Sequence, residues 1–198
     1  MADSEAAICS SALSLLGAKP IGSLTENSQV ARWCARFYPE SRREILQMHT
    51  WNRATVRQLM ALDATAPIFN WAFSFTLPVY CLRVVATDLD KEEGGPGEPW
   101  AIEDNAVGAP AIVANVNIIK ARFIKDITDT TLFDPLLEKA IRYDLAVKLA
   151  YPVTQNSQVQ QLYEGLRDTA VQQAKGYDGR EGSKRRAIST MFTRDVRA

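Results

Sequence analysis

Few residues in this chain combine a reactive type with the spacing that chemistry needs. The single histidine, His49, stands beside Trp51. It could act as a general base only if the fold brought it a nucleophile and an orienting group. Cys9, Cys34 and Cys81 lie far apart, with no CxxC or Cys/His spacing. They read as small buried apolar residues of a reducing compartment. Asp134 and Glu138 share a helix face, but Asp134 directly precedes Pro135 and is accounted for as a helix cap. Gly94-Gly95-Pro96-Gly97 lacks the GK[ST] ending of a phosphate cradle and is flanked by acids. No GxSxG, HExxH or DxDxDG occurs. The residues call for no catalytic group, metal or cofactor, and an enzyme built around His49 would rest on that one side chain.

Charge is local, not global. The 198 residues have no formal net charge, and with 46% hydrophobic and 23% charged residues they can bury a core. That length suits one substantial domain, or a domain with an inserted lobe. No apolar run approaches the roughly 18–20 residues of a membrane span, so no membrane partner is expected. The opening MADSEAAICSS is acidic and lacks the basic n-region of a secretory signal.

Within residues 88–104, Asp88, Asp90, Glu92, Glu93, Glu98, Glu103 and Asp104 oppose Lys91 alone. This reads as a solvated loop or hairpin tip, or as an acidic surface that repels a polyanion or meets a basic partner. Residues 178–198 are basic, and Ile188, Met191, Phe192 and Val196 could anchor them on a partner. A frayed terminus is the alternative.

The elements that carry these residues change character along the chain. Ile8, Ala12, Leu15 and Leu16 predict a helix over residues 3–16, ended by Gly17. Asn27 or Ser28 caps a second helix carrying Val30, Trp33, Cys34, Phe37 and Tyr38, then Ile45, Leu46 and Met48. Pro39 predicts a kink or break there. Arg32, Arg36, Arg42 and Arg43 read as an exposed face of this helix, either solvated or a subunit contact.

After Asn52 the period becomes that of strands, around 56–62, 68–77, 82–87, 100–102, 111–114 and 118–125. Asp134-Pro135 opens a third helix expected to stop at Pro152. A fourth begins near Asn156 with Val159, Leu162, Tyr163, Leu166, Ala170 and Ala174 on one stripe, ending around Gly176. The fold class is therefore α+β. Residues 1–52 and 130–177 form a bundle of about four helices, 53–129 an inserted small antiparallel sheet or barrel, and 178–198 an extended tail. The joint falls at His49-Thr50-Trp51-Asn52, where packing explains Trp51.

Residues Ala7-Ile8-Cys9-Ser10-Ser11-Ala12-Leu13-Ser14-Leu15-Leu16-Gly17-Ala18-Lys19-Pro20-Ile21 resemble the opening helix and turn of the tail tubular protein A family, the head-to-tail adaptor of short-tailed phages and related prophages. Phe37-Tyr38-Pro39 through Trp51-Asn52 is similar to its second helix and Trp-Asn pair. Trp71-Ala72-Phe73 and Leu77 to Val84 are similar to its first strands, and Ala140, Tyr143, Leu145-Ala146 and Leu149-Ala150 to its return to the bundle. The resemblance covers about residues 6–178 and is carried by apolar and turn residues.

It implies a structural virion protein of the tail connector, assembled in the host cytoplasm. Copies would form a ring, usually of twelve, under the portal protein. The ring would extend the channel for genomic DNA without sequence-specific binding and receive the tail nozzle protein. By analogy and charge, Lys184, Arg185, Arg186, Ile188, Met191 and Phe192 would then meet the portal. Arg32, Arg36, Arg42 and Arg43 would meet a neighbouring subunit, and Asp88, Asp90, Glu92, Glu93 and Glu98 would face the channel or nozzle. The alternative is a nucleic-acid-binding module using the basic tail.

Overall fold

Each helix begins on a side chain that answers its unpaired backbone donors. The computed structural model describes residues 4–90 and 97–181. It opens with α1, Glu5–Leu15, where Ser4 accepts from the Ala7 N–H. Gly17, at φ 70°, ends α1: its N–H reaches the Ser14 carbonyl and the Ala18 N–H that of Leu13, a Schellman arrangement. Ser28 caps α2, Gln29–Gln47, and Asp134 caps α3, Pro135–Thr154, accepting from Leu136 and Leu137. Asn156 starts α4, Ser157–Asp178.

Pro39, expected to kink or break its helix, does not break it, and Pro152, expected to stop α3, does not stop it. Pro39 lies inside α2 and Pro152 in the last turns of α3. A mid-helix proline costs about 3 kcal/mol, and α2 is held on both sides of it by buried Cys34 and Tyr38 before, and Ile45 and Leu46 after. The stop of α3 falls instead at Gln155, which takes a left-handed φ of 54°. The stripe of α4 is also less covered than its pattern predicts: Leu162 is 61% and Leu166 40% exposed. This helix packs chiefly on α3, so one neighbour covers one side, and burial concentrates at Ala170, Val171, Ala174 and Asp178.

The hub of the bundle is α3. Leu137, Ala140, Ile141, Leu145, Ala146, Leu149 and Ala150 bury around its circumference, and α1, α2 and α4 all pack on it. A helix apolar on most sides belongs in the interior. The contact of α1 with α2 is slight by comparison.

Between α2 and α3 runs the β lobe, entered through a short 3-10 turn, Asn52–Ala54. Its strands are β1 Thr55–Leu59, β2 Phe73–Thr76, β3 Cys81–Thr87, β4 Trp100–Asp104, β5 Pro110–Ala114 and β6 Lys120–Lys125. They form two antiparallel three-stranded sheets, ordered β1-β6-β3 and β2-β5-β4. The fold is thus α+β, with four α-helices and two small sheets among the described residues. Only the end of the 68–77 segment is strand; Ile68 and Phe69 project, and Asn70 turns the chain at φ 67°.

Strand alternation sets the layers. Ala121 and Phe123 of β6, with Val56 and Val84, face Phe75, Ile112 and Ala114 of the second sheet across a shared apolar core. Ile124, one step out of phase, turns the other way into the helical core, with Leu82 and Val85. The order is therefore helices, first sheet, second sheet. Residues 62–71 lie on the outer face of the second sheet. Leu62 bridges to Phe75, and the Asp63 carboxylate accepts from Ser74 Oγ at 2.7 Å and Thr76 Oγ1 at 2.6 Å.

Candidate functional site

Two polar joints fasten the lobe to the bundle. In the first, Arg42 donates through Nε and a terminal nitrogen to the two oxygens of Asp126, at 2.9 and 3.0 Å, and Arg43 Nε adds a third bond at 3.0 Å. Asp126 follows β6 and also ties back through its N–H to the Tyr80 carbonyl. Burial opposes ionisation of Asp126, but the bonds from the two guanidiniums outweigh it and hold its carboxyl below the usual value. Arg42 also lies over the Tyr38 ring at 5.8 Å.

In the second joint, Asp178 at the end of α4 is buried against the α2–β1 link. One oxygen lies 3.1 Å from His49 Nε2, the other accepts from the Asn52 N–H at 2.9 Å, and the Asp178 carbonyl accepts from Asn52 Nδ2 at 2.7 Å. Trp51 is buried beside them, donating to the Ile45 carbonyl at 2.9 Å and meeting His49 edge-on at 4.8 Å. His49 thus meets Asp178 and Trp51 within the chain.

These joints correct one expectation directly. Arg42 does not lie on an exposed helix face: it is 4% exposed and fully engaged with Asp126. It occupies the same stripe as Tyr38 and Ile45, so the helix turns it inward. Arg43 reaches the same carboxylate from a more exposed position. Arg32 and Arg36 do remain exposed; Arg32 bonds locally to Asn27 and Gln29, and Arg36 lies over Phe37.

In the acidic segment, Asp88 and Asp90 are exposed, yet both carboxylates also serve the local backbone. Asp88 accepts from the Lys120 N–H, and Asp90 from the Thr87 N–H and Trp100 Nε1. Glu98 is exposed; Glu92 and Glu93 lie outside the described residues. So do Lys184, Arg185, Arg186, Ile188, Met191 and Phe192, the residues expected to meet a portal.

Inside the bundle, Asp144 is buried among Lys148 at 3.6 Å and Arg167 at 3.7 Å, with Glu44 2.9 Å from Lys148. Burial pushes its carboxyl up despite the nearby Ser41 hydroxyl and the cations. Cys9 and Cys34 meet as free thiols, and Cys9 is pushed up, first by the bond it shares with Cys34 and then by burial. Cys9, so raised, is a poor nucleophile, whereas the same bond pulls Cys34 down. No group of three or more His, Cys, Asp and Glu is placed to hold a metal ion, and no helix is long and apolar enough to cross a membrane, among the described residues.

On the first sheet, beyond the edge of the helices, a set of cations lies without hydrogen-bond partners among the described residues. Arg57 and Arg122 are direct partners in the β1–β6 register, and Leu59 pairs with Lys120. Ala86 of β3 also pairs with Arg122. By alternation these residues share the side of Ile124, the side that meets the helices. They line a groove of about 560 Å³ with Asp88 and Asp90 on its rim. Arg122 Nε is buried without a hydrogen-bond partner. The strand period around residues 118–125 carries no sign that Arg57 lies beside Arg122, because register is a tertiary quantity.

No family model matches this chain, and no curated protein matches it.

Proposed function

We propose that the chain is the subunit of a head-to-tail adaptor ring, similar to the tail tubular protein A family of short-tailed phages. Copies sit under a portal, extend the DNA channel and receive the tail nozzle, and the protein resides in the virion connector. What carries the reading is the layout of the resembling segments on the fold. Residues 7–21 make α1 and its Schellman turn, and residues 37–52 run through α2 into the Trp51-Asn52 link. Residues 140–150 form the core of the hub helix α3. A β lobe inserted at that link and locked by Arg42–Asp126 and Asp178–Asn52 suits a part whose work is geometric. Ring assembly needs a subunit that keeps its shape while it meets unlike neighbours on different faces.

The test is electron microscopy of the full chain alone and mixed with a portal ring, beside a chain lacking residues 182–198. Rings stacked coaxially on the portal, lost with the truncation, are the expected result. A full-length chain that never docks on a portal overturns the reading. Salt-sensitive DNA binding that disappears on mutating Lys184, Arg185 and Arg186 would favour the nucleic-acid module instead.

A further inference from the structure

Two surfaces of the β lobe carry side chains without hydrogen-bond or ion-pair partners among the described residues, and they lie on opposite faces of the sheet stack. One is the groove on the helix-side face of the first sheet. Its cations, Arg57, Lys120 and Arg122, make no side-chain hydrogen bond or ion pair among the described residues, and Leu59 and Ala86 give it an apolar floor. The other is the tip over the outer face of the second sheet, where Ile68 is 99% and Phe69 73% exposed. This tip is held in shape. Asn70 takes a left-handed φ, Trp71 Nε1 donates to Glu103 at 3.1 Å, and Asp63 pins the segment to Ser74 and Thr76. Glu103 and Asp104 border a hollow of about 520 Å³ beside it.

We infer that the tip of one copy docks into the groove of the next, so that copies associate head to tail through their β lobes. The inference rests on the ring reading above and deepens it by assigning the two faces that meet. Apolar matching comes from Ile68 and Phe69 against Leu59 and Ala86; such anchors supply most of the binding energy at interfaces. Charge matching comes from Glu103 and Asp104 against the three cations. Arg57 and Arg122 stand directly opposite one another, an arrangement that repels within one copy. Incoming carboxylates relieve that repulsion. A long polyanion fits less well, because Asp88 and Asp90 line the same groove. Since tip and groove lie on opposite faces, the contact is heterologous and repeats from copy to copy.

Sedimentation of the full chain over its soluble concentration range tests this with two variants. R57A/R122A spoils the groove and keeps the tip; I68S/F69S spoils the tip and keeps the groove. All four side chains lie at the surface or on the groove wall, and circular dichroism verifies that both variants fold. Wild type should self-associate, each variant alone should associate at least about tenfold more weakly, and an equimolar mixture should stop at dimers. That capped mixture is the signature of a head-to-tail contact. Wild type that stays monomeric throughout, or variants that associate like wild type, overturns the contact. Portal binding measured on the same samples separates the two ideas. Wild type that self-associates but ignores the portal removes the adaptor reading alone. Wild type that forms rings on the portal, with both variants doing so equally well, removes the contact alone.

Discussion

Ile124 and Arg122 sit two residues apart on β6 and point to the same side of the first sheet, yet their surroundings differ completely. Ile124 lies under the helices with no exposure, whereas Arg122 lies past their edge in an open groove facing Arg57. The same contrast holds for the two halves of the molecule. At the joints of the bundle, buried groups meet partners: Trp51 the Ile45 carbonyl, Arg42 Asp126, and Asp178 Asn52. The open part of the lobe displays Ile68, Phe69 and three cations without hydrogen-bond or ion-pair partners among the described residues. Stability is invested where the helices cover the sheet, and capacity for contact remains where they do not.

Breaking the covered side should have the largest effect. Trp51→Ala removes a fully buried indole and its hydrogen bond, and should cost on the order of 3–5 kcal/mol in denaturant unfolding. A loss near zero would mean the link is not part of the cooperative core. Asp126→Ala leaves the buried Arg42 guanidinium with only its 3.6 Å contact to Glu5, for which about 3 kcal/mol is expected. Arg43→Ala, at a largely exposed partner of the same carboxylate, should cost only about 0–1 kcal/mol. If the two losses come out equal, the buried character of the Arg42 joint is wrong.

Acid should sharpen the comparison. Asp126 and Asp63 have folded-state values below the unfolded value of about 3.9. In both, burial works against the shift, and hydrogen bonds decide it: from Arg42 and Arg43 for Asp126, and from Thr76, Ser74 and Asn105 for Asp63. These carboxylates therefore stabilise the fold above the unfolded value and lose that contribution as pH falls through their folded values. Asp144 has the opposite sign: its value is raised, chiefly by burial, so its ionised form penalises the fold and acid relieves that penalty. Unfolding titrations below pH 5 should show net destabilisation in wild type and a shallower fall in Asp126→Asn. The smallest effect belongs to the open side. I68S/F69S should change monomer stability by only about 0.5 kcal/mol in either direction, and a larger loss would show that the tip packs within its own chain.

Much of this was legible from local chemistry. Ser28, Asp134, Asn156 and Gly17 cap or end their helices as their residue types predict, because capping involves groups within four residues. The change from helical to strand period after Asn52 marks where the strands begin. Pro39 does not break α2 and Pro152 does not stop α3, since a local penalty was outweighed by burial that only distant residues supply. Arg42 misled for the same reason. An arginine among arginines reads as a solvated face, and its partner Asp126 lies 84 positions away.

What the sequence determined by itself is therefore the list of elements, their ends and the α+β order, all set by periodicity and by bonds reaching a few residues. Tertiary structure decided which of those surfaces close and which stay open. Strand register put Arg57 beside Arg122, and the extent of the helices left that pair uncovered while Ile124 was buried. Residues far apart in the chain share no local signal, and their energies are fixed only when packing settles how much water each one loses.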